Sequence, residues 1–209
     1  MVIAGANASG VIDGPYSRVW CGPPDVLCTR RNGSAVVACS SVGAPDAGGV
    51  TVAPLPLLSI PAGSLHIVLG TGFACAQSAD GAVRCDAHDG AAPAYAPQSP
   101  MVAIASNGSA VCGVLCDGGA VVCWTPLAAA PPVRAAQIGA VDSVCVGAAF
   151  VCGGRSAGGS VDAPVTCHGA VGGLTGGFVQ ITCGGSHVCG VAASGAVACS
   201  GGAELVPTC

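Results

Sequence analysis

The apolar positions of this chain fall in short runs broken by small turn residues, and one arrangement of them recurs. It is clearest from Ile181 to Gly202, "ITCGGSHVCGVAASGAVACSGG": apolar-x-Cys-Gly, a gap, Cys-Gly-Val, a small turn ending in Gly195, then Val-x-Cys. The pattern returns in "IVLGTGFACAQSADGAVRCDA" (Ile67 to Ala87) and "AIASNGSAVCGVLCDGGAVVCWT" (Ala103 to Thr125). It is stretched in "VDSVCVGAAFVCGGRSAGGSVDAPVTCHG" (Val141 to Gly169) and looser in "VWCGPPDVLCTRRNGSAVVACSS" (Val19 to Ser41). The first hairpin cysteines, Cys28, Cys75, Cys112, Cys152 and Cys189, are spaced by 47, 37, 40 and 37 residues. That period is in the range of propeller blades, not of solenoid turns of about 20 to 30 residues.

Each copy reads as a β-hairpin. A three-residue loop, Ala79-Asp80-Gly81, with Gly81 in the left-handed position, places Cys75 opposite Cys85, and Ala193-Ser194-Gly195 does the same for Cys189 and Cys199. A two-residue Asp117-Gly118 turn of type I′ places Cys112 opposite Cys123. Cysteines facing each other at a non-hydrogen-bonded antiparallel pair are close enough to bridge. The expected staples are Cys28 with Cys39, Cys75 with Cys85, Cys112 with Cys123, Cys152 with Cys167, and Cys189 with Cys199. Cys21 competes with Cys28 for Cys39. Cys21, Cys116, Cys145, Cys183 and Cys209 are left over, an odd number, so at least one thiol is free or pairs outside the chain. Cys21, Cys145 and Cys183 hold similar places ahead of the hairpins, which suggests an inner strand, but the spacing does not decide their partners.

Composition supports this reading. With Gly 34, Pro 15, Cys 15, 8% charged and 3% aromatic residues in 209, the chain is poor material for helices. The expectation is an all-β fold, a propeller of about five visible blades filling residues 1–209 as a single domain. Blades rich in Gly and Ala bury little apolar area, worth roughly 25 cal/mol per Å². Short disulfide loops, at about 2–4 kcal/mol each, make up for the missing bulk.

Charge removes several function classes. The six basic residues are all Arg and scattered, lysine is absent, and the net charge is −4. No basic cluster is present to neutralise a phosphate backbone, so nucleic acid is not an expected partner. Phosphate-binding loops, the kinase phosphate anchor and Schiff-base chemistry each need a lysine. Mean hydropathy is high, at +0.71. Even so, "VTVAPLPLLSIPAGSLHIVLG" carries Pro54, Pro56 and Pro61, and the uncharged run from Ala163 to Ala203 is rich in Gly, Ser, Thr and Cys. Neither run is expected to make a spanning helix. The N-terminal stretch has no positive region ahead of a long apolar one, so no secretory signal is expected in it.

Two features nevertheless point outside the cell. Cysteine usage this high belongs to disulfide-bonded extracellular proteins. The three asparagines, Asn7, Asn32 and Asn107, each open an Asn-x-Ser sequon. Structural zinc is not expected, because Cys112 and Cys116 form the one short knuckle-like pair and have no matching second pair.

The repeats resemble those of the regulator-of-chromosome-condensation type. "ITCGGSHVCGVAASGAVACSGG", "VLGTGFACAQSADGAVRC" and "AVCGVLCDGGAVVCW" are similar in particular to the cysteine-bearing version in ectodomains of plant Crinkly-type receptor-like kinases. There, a Gly-x-x-His/Phe-x-Cys-Gly strand is followed by a Cys-Trp-Gly strand. Here the second strand keeps only Cys123-Trp124, and elsewhere reads Cys39-Ser40, Cys85-Asp86, Cys167-His168 and Cys199-Ser200. The family's ring has seven blades, so five copies mean a smaller ring or part of one. The resemblance implies a non-catalytic extracellular domain recognising a peptide, glycan or partner receptor at the plasma membrane, or secreted. The kinase of such receptors has no counterpart in this sequence. Two other readings stand beside it: a degenerate secreted propeller without a signalling role, and an intracellular regulator of a small GTPase.

Residues that invite catalysis or metal binding have plainer explanations. His66, His88, His168 and His187 share no spacing, and His187 occupies the repeat's His/Phe position. "GRSAG" (Gly154 to Gly158) has the Gly-x-Ser-x-Gly form but sits in a loop insertion, not a strand-to-helix turn. "LGTGF" lacks the following helix and any lysine. Trp20 and Trp124 are too few for a light-absorbing cluster. No catalytic, cofactor or metal site is expected.

Overall fold

The computed structural model of the protein describes residues 2–5, 8–11, 16–22, 26–32, 34, 37–42, 52–54, 64–87, 89, 97–128, 133–135, 137–155 and 164–202. Strands β1 (Val2–Gly5) and β2 (Ala8–Val11) form a two-stranded hairpin. Five antiparallel meanders follow. The first holds β3 (Tyr16–Gly22), β4 (Val26–Arg31), β5 (Val37–Val42) and β6 (Val52–Pro54). The second holds β7 (His66–Gly70), β8 (Phe73–Gln77) and β9 (Val83–Ala87). The third holds β10 (Met101–Ser106), β11 (Val111–Leu115), β12 (Val121–Trp124) and β13 (Val133–Arg134). The fourth holds β14 (Ser143–Val146), β15 (Phe150–Gly154) and β16 (Thr166–Gly169). The fifth holds β17 (Gln180–Cys183), β18 (His187–Val191) and β19 (Val197–Gly201). The opening strands pack in sequence, β3 on β7, β7 on β10, β10 on β14 and β14 on β17, so the sheets stand as successive blades of a propeller-like arrangement.

The core is divided among the junctions between blades. Cys28, Val37 and Cys39 pack against Ile67, Leu69, Ala74 and Ala76. Phe73, Cys75, Val83 and Cys85 meet Met101, Ile104, Val111 and Trp124. Cys112, Val114 and Val121 meet Ile138, Val144 and Val151. Cys145, Phe150 and Cys152 meet Val171, Leu174, Phe178 and Val188. Side chains of a strand alternate between its two faces, so each of the three middle blades contributes to two cores. The staples lie on the face turned toward the next blade. There they fill space that Ala and Gly leave.

In register, Cys28 lies opposite Cys39, Cys75 opposite Cys85, Cys112 opposite Cys123, Cys152 opposite Cys167 and Cys189 opposite Cys199. Each of these pairs is bonded, with Cα atoms 4.0–4.1 Å apart. Cys39 is therefore the partner of Cys28 and not of Cys21. A sixth bond runs from Cys145 on β14 to Cys183 on β17, Cα to Cα 5.4 Å, and crosses from the fourth blade to the fifth. Cys116 is free and exposed, and Cys209 lies outside the described residues.

Gly81 and Gly195 adopt φ of 84° and 86°, in the left-handed region their turns require. In the second blade the Asp80 carboxylate accepts hydrogen bonds from the Ser78 hydroxyl and the Ala82 N–H, and these hold its pKa below the ordinary carboxylate range. The Asp117-Gly118 turn differs from the two-residue form expected. Cys116–Gly119 form a four-residue loop closed by Leu115 N–H to Ala120 O at 2.9 Å, with both Gly118 and Gly119 left-handed. The cause lies in the neighbouring segments. Cys116 N–H donates to Pro100 O and Gly119 O accepts from Val141 N–H, while Gly119 N–H turns back to Leu115 O at 3.2 Å, so Cys116 and Gly119 do not pair with each other. The register of Cys112 and Cys123 survives, because the loop widens by one residue on each side and leaves Leu115 facing Ala120.

Among the described residues no helix is long and apolar enough to cross a membrane. The described residues form an all-β, propeller-like structure without a kinase-like helical catalytic fold.

Candidate functional site

Each opening strand turns into the second strand of its blade through a short loop, and these loops gather at one end of the blades. The loop after β7 contains Thr71 and Gly72, following Gly70 at the strand's end; after β10 it holds Asn107, Gly108 and Ser109; after β14, Gly147 and Ala148; after β17, Gly184 and Gly185. They are joined across the blades by one hydrogen bond per junction. Thr71 N–H donates to Gly108 O at 2.7 Å, Asn107 Nδ2 to Gly147 O at 2.9 Å, and Ala148 N–H to Gly185 O at 3.0 Å. The last three of these loops line a cavity of about 320 Å³, with Leu69, Ser106 and Val146 at its wall. None of the described residues that line it is charged.

Local sequence explains the loops. A Cβ placed on Gly70 would lie 2.1 Å from the ring of Phe73, on Gly147 2.0 Å from that of Phe150, and on Gly184 2.3 Å from that of His187. In three blades the aromatic residue three positions on therefore folds back over a glycine, which is the structural duty of His187. In the third blade Asn107 stands at the glycine position and Ala110 at the aromatic one, as the matching bonds Asn107 N–H to Ala110 O and Gly147 N–H to Phe150 O show. The small Ala110 leaves room for the asparagine side chain.

The other residues singled out by sequence are dispersed. His66 and His168 are exposed, the latter with Nδ1 2.9 Å from Gln137 Oε1, and His88 lies outside the described residues. Residues 156–158 of "GRSAG" lie outside them too, while Arg155 is exposed. Asn7 is outside the described residues. Asn32 is exposed in the β4–β5 turn, and Asn107 is half-buried among the loops. The sulfurs of Cys145, Cys152 and Cys183 lie within 4.8 Å of one another, but all three are bound in disulfides, so none offers a thiolate to a metal. Sequence reasoning did not find Asn107 as a junction residue. The signal was present in the exchange of Gly plus aromatic for Asn plus Ala when the repeats are laid over one another.

A second groove, of about 440 Å³, lies on the fifth blade between Thr175–Phe178 and Ala192–Ala198. In the second and third blades the equivalent turn glycines are covered. A Cβ on Gly81 would meet Met101 O at 2.7 Å and one on Gly119 would meet Val141 O at 2.7 Å, whereas Gly195 has no described atom within 4 Å.

No family model matches the chain, and no curated protein matches it in sequence. Solved structures do. The CRINKLY WD40 ectodomain of the Arabidopsis thaliana receptor kinase ACR4 is similar with a TM-score of 0.59 and 24% identity, over 89% of this chain and 63% of that one. The entire ectodomain of the Physcomitrella patens receptor kinase CR4 is similar with a TM-score of 0.58 and 21% identity, over 88% of this chain and 50% of that one. Human WBSCR16 gives 0.53 and 12%, over 93% and 79%. The chain thus spans about half to two-thirds of the two plant ectodomains, and what the likeness establishes is the fold: a β-propeller resembling the ACR4 and CR4 ectodomain propellers.

Proposed function

We propose that residues 1–209 form one non-catalytic extracellular recognition domain, which binds a peptide, glycan or partner receptor through the loop-lined mouth. The observation that carries this reading is the set of six disulfides among the described residues, one within each blade and one between two blades. Bonds distributed this way form and persist in oxidising compartments. The likeness to two plant receptor ectodomains supports the same reading. The neutral mouth, lined by small side chains and main chain, suits a neutral hydrogen-bonding ligand, since it sets no charge that an ion would answer.

The test uses the chain secreted from a eukaryotic host and screened against peptide and glycan arrays. Gly185 is exposed and has no atom within 4 Å of a built Cβ, so Gly185→Arg fills the mouth without disturbing the blades. Ligands of the parent should lose at least tenfold in affinity with G185R at unchanged melting temperature. Ligands that bind G185R equally well, or a parent chain that folds equally well with every thiol reduced, would sink the reading.

A further inference from the structure

The three sequons are equivalent as sequence, and the two that the structure describes are not equivalent as chemistry. We propose that Asn32 is a glycan acceptor and that Asn107 is not: Asn107 is the residue that clasps the third blade to the fourth. This rests on the extracellular reading above, because the transfer takes place in the secretory pathway. In the step itself, Asn32 Nδ2 gives up one hydrogen as a proton and bonds to the anomeric carbon of a lipid-diphosphate-linked oligosaccharide. The bond from that carbon to the diphosphate oxygen breaks, and the lipid diphosphate leaves.

The amide of Asn107 is already committed. Its Nδ2 donates to Gly147 O at 2.9 Å, while its Oδ1 accepts from Ser109 N–H, the Ser109 hydroxyl and Ala110 N–H at 2.9–3.0 Å. The need for that donor can be traced to its neighbours. At the junctions on either side a main-chain N–H crosses to the next blade, from Thr71 and from Ala148. The residue at that place in the third blade is Gly108, and its N–H is turned back onto the Ser106 hydroxyl at 3.0 Å. Asn107 supplies the missing donor from its side chain. It has room to do so because Ala110 replaces the ring that closes over Gly70, Gly147 and Gly184 in the other blades. A sugar on Nδ2 would stand among the loops of the fourth and fifth blades, where Asn107 is half-buried. Asn32, in contrast, is exposed in the turn of the β4–β5 hairpin.

The experiment is glycopeptide mapping of the full chain secreted behind a heterologous leader from insect or plant cells. The expected result is a glycan on Asn32, an unmodified Asn107, and loss of the Asn32 glycan in N32Q with an unchanged melting temperature. A glycan on Asn107, or a bare Asn32, overturns the proposal. Two variants test the clasp. Asn107→Asp removes the donor and should lower the melting temperature by about 2–4 °C, the shift expected for one hydrogen bond in a domain of this size. Ser109→Ala destroys the same sequon but keeps Asn107 Nδ2, and should fall by less. Equal melting of N107D and S109A counts against the clasp, and should N107D fail to fold, the map of the parent chain still decides. The leader sends the chain through the oxidising compartment whatever its native address. A bare Asn32 therefore counts against the acceptor alone, and the extracellular reading is judged separately on ligand binding.

Discussion

Gly147 and Phe150 are one unit, since a Cβ on the glycine would lie 2.0 Å from the ring. Overpacking of this kind costs about 1–3 kcal/mol. The third blade shows the alternative solution, with Asn107 and Ala110 in the same places. A double-mutant cycle should therefore show strong coupling: Gly147→Ala is expected to destabilise the parent clearly and the Phe150→Ala background much less. Denaturant titration of the four proteins measures it, and equal costs in both backgrounds would mean that the ring does not set the glycine. The pairing was half legible in the sequence. The Gly-x-x-Phe/His spacing belongs to the repeat, but its reason, ring over backbone, is a matter of distance.

At the scale of the hairpin, the five staples are alike in covalent form but not in surroundings. Cys28, Cys75 and Cys152 are 0% exposed and Cys112 is 2%, each covered by the following blade. Cys189 and Cys199 are only half-buried, on the fifth blade, where the turn glycine Gly195 has no described neighbour. Thiol–disulfide exchange needs access to sulfur. Limited reduction followed by alkylation and peptide mapping should label Cys116 before any reductant is added, then Cys189 and Cys199, and Cys75 and Cys85 last. Labelling of all staples at one rate would show that global unfolding, not local access, controls reduction. Cys75 with Cys85 and Cys189 with Cys199 were legible because a hairpin with a known turn has one register; Cys112 with Cys123 held because its loop widened evenly, and the other two pairs followed the repeat. The Cys116–Gly119 loop was not, because Pro100 and Val141, which reshape it, reach it from outside the hairpin.

At the scale of the whole molecule, the bond between Cys145 and Cys183 is the one described disulfide that crosses a blade junction. It closes a stretch of 38 residues, a loop for which chain entropy gives about 4 kcal/mol. The variant C145S/C183S should take up deuterium faster along β14 and β17, with β8 and β9 unchanged; uniform uptake along the chain would show that the bond secures no particular junction. The repeat, its period, the all-β class and the hairpin registers were determined by the sequence alone, because they depend on contacts between residues about ten apart. Tertiary structure alone decided the partner of Cys145, the clasp made by Asn107 and the gathering of four loops at one mouth. Each of these joins residues 37 to 40 positions apart on different blades, and the spacing within a repeat carries no record of how far one blade turns from the next.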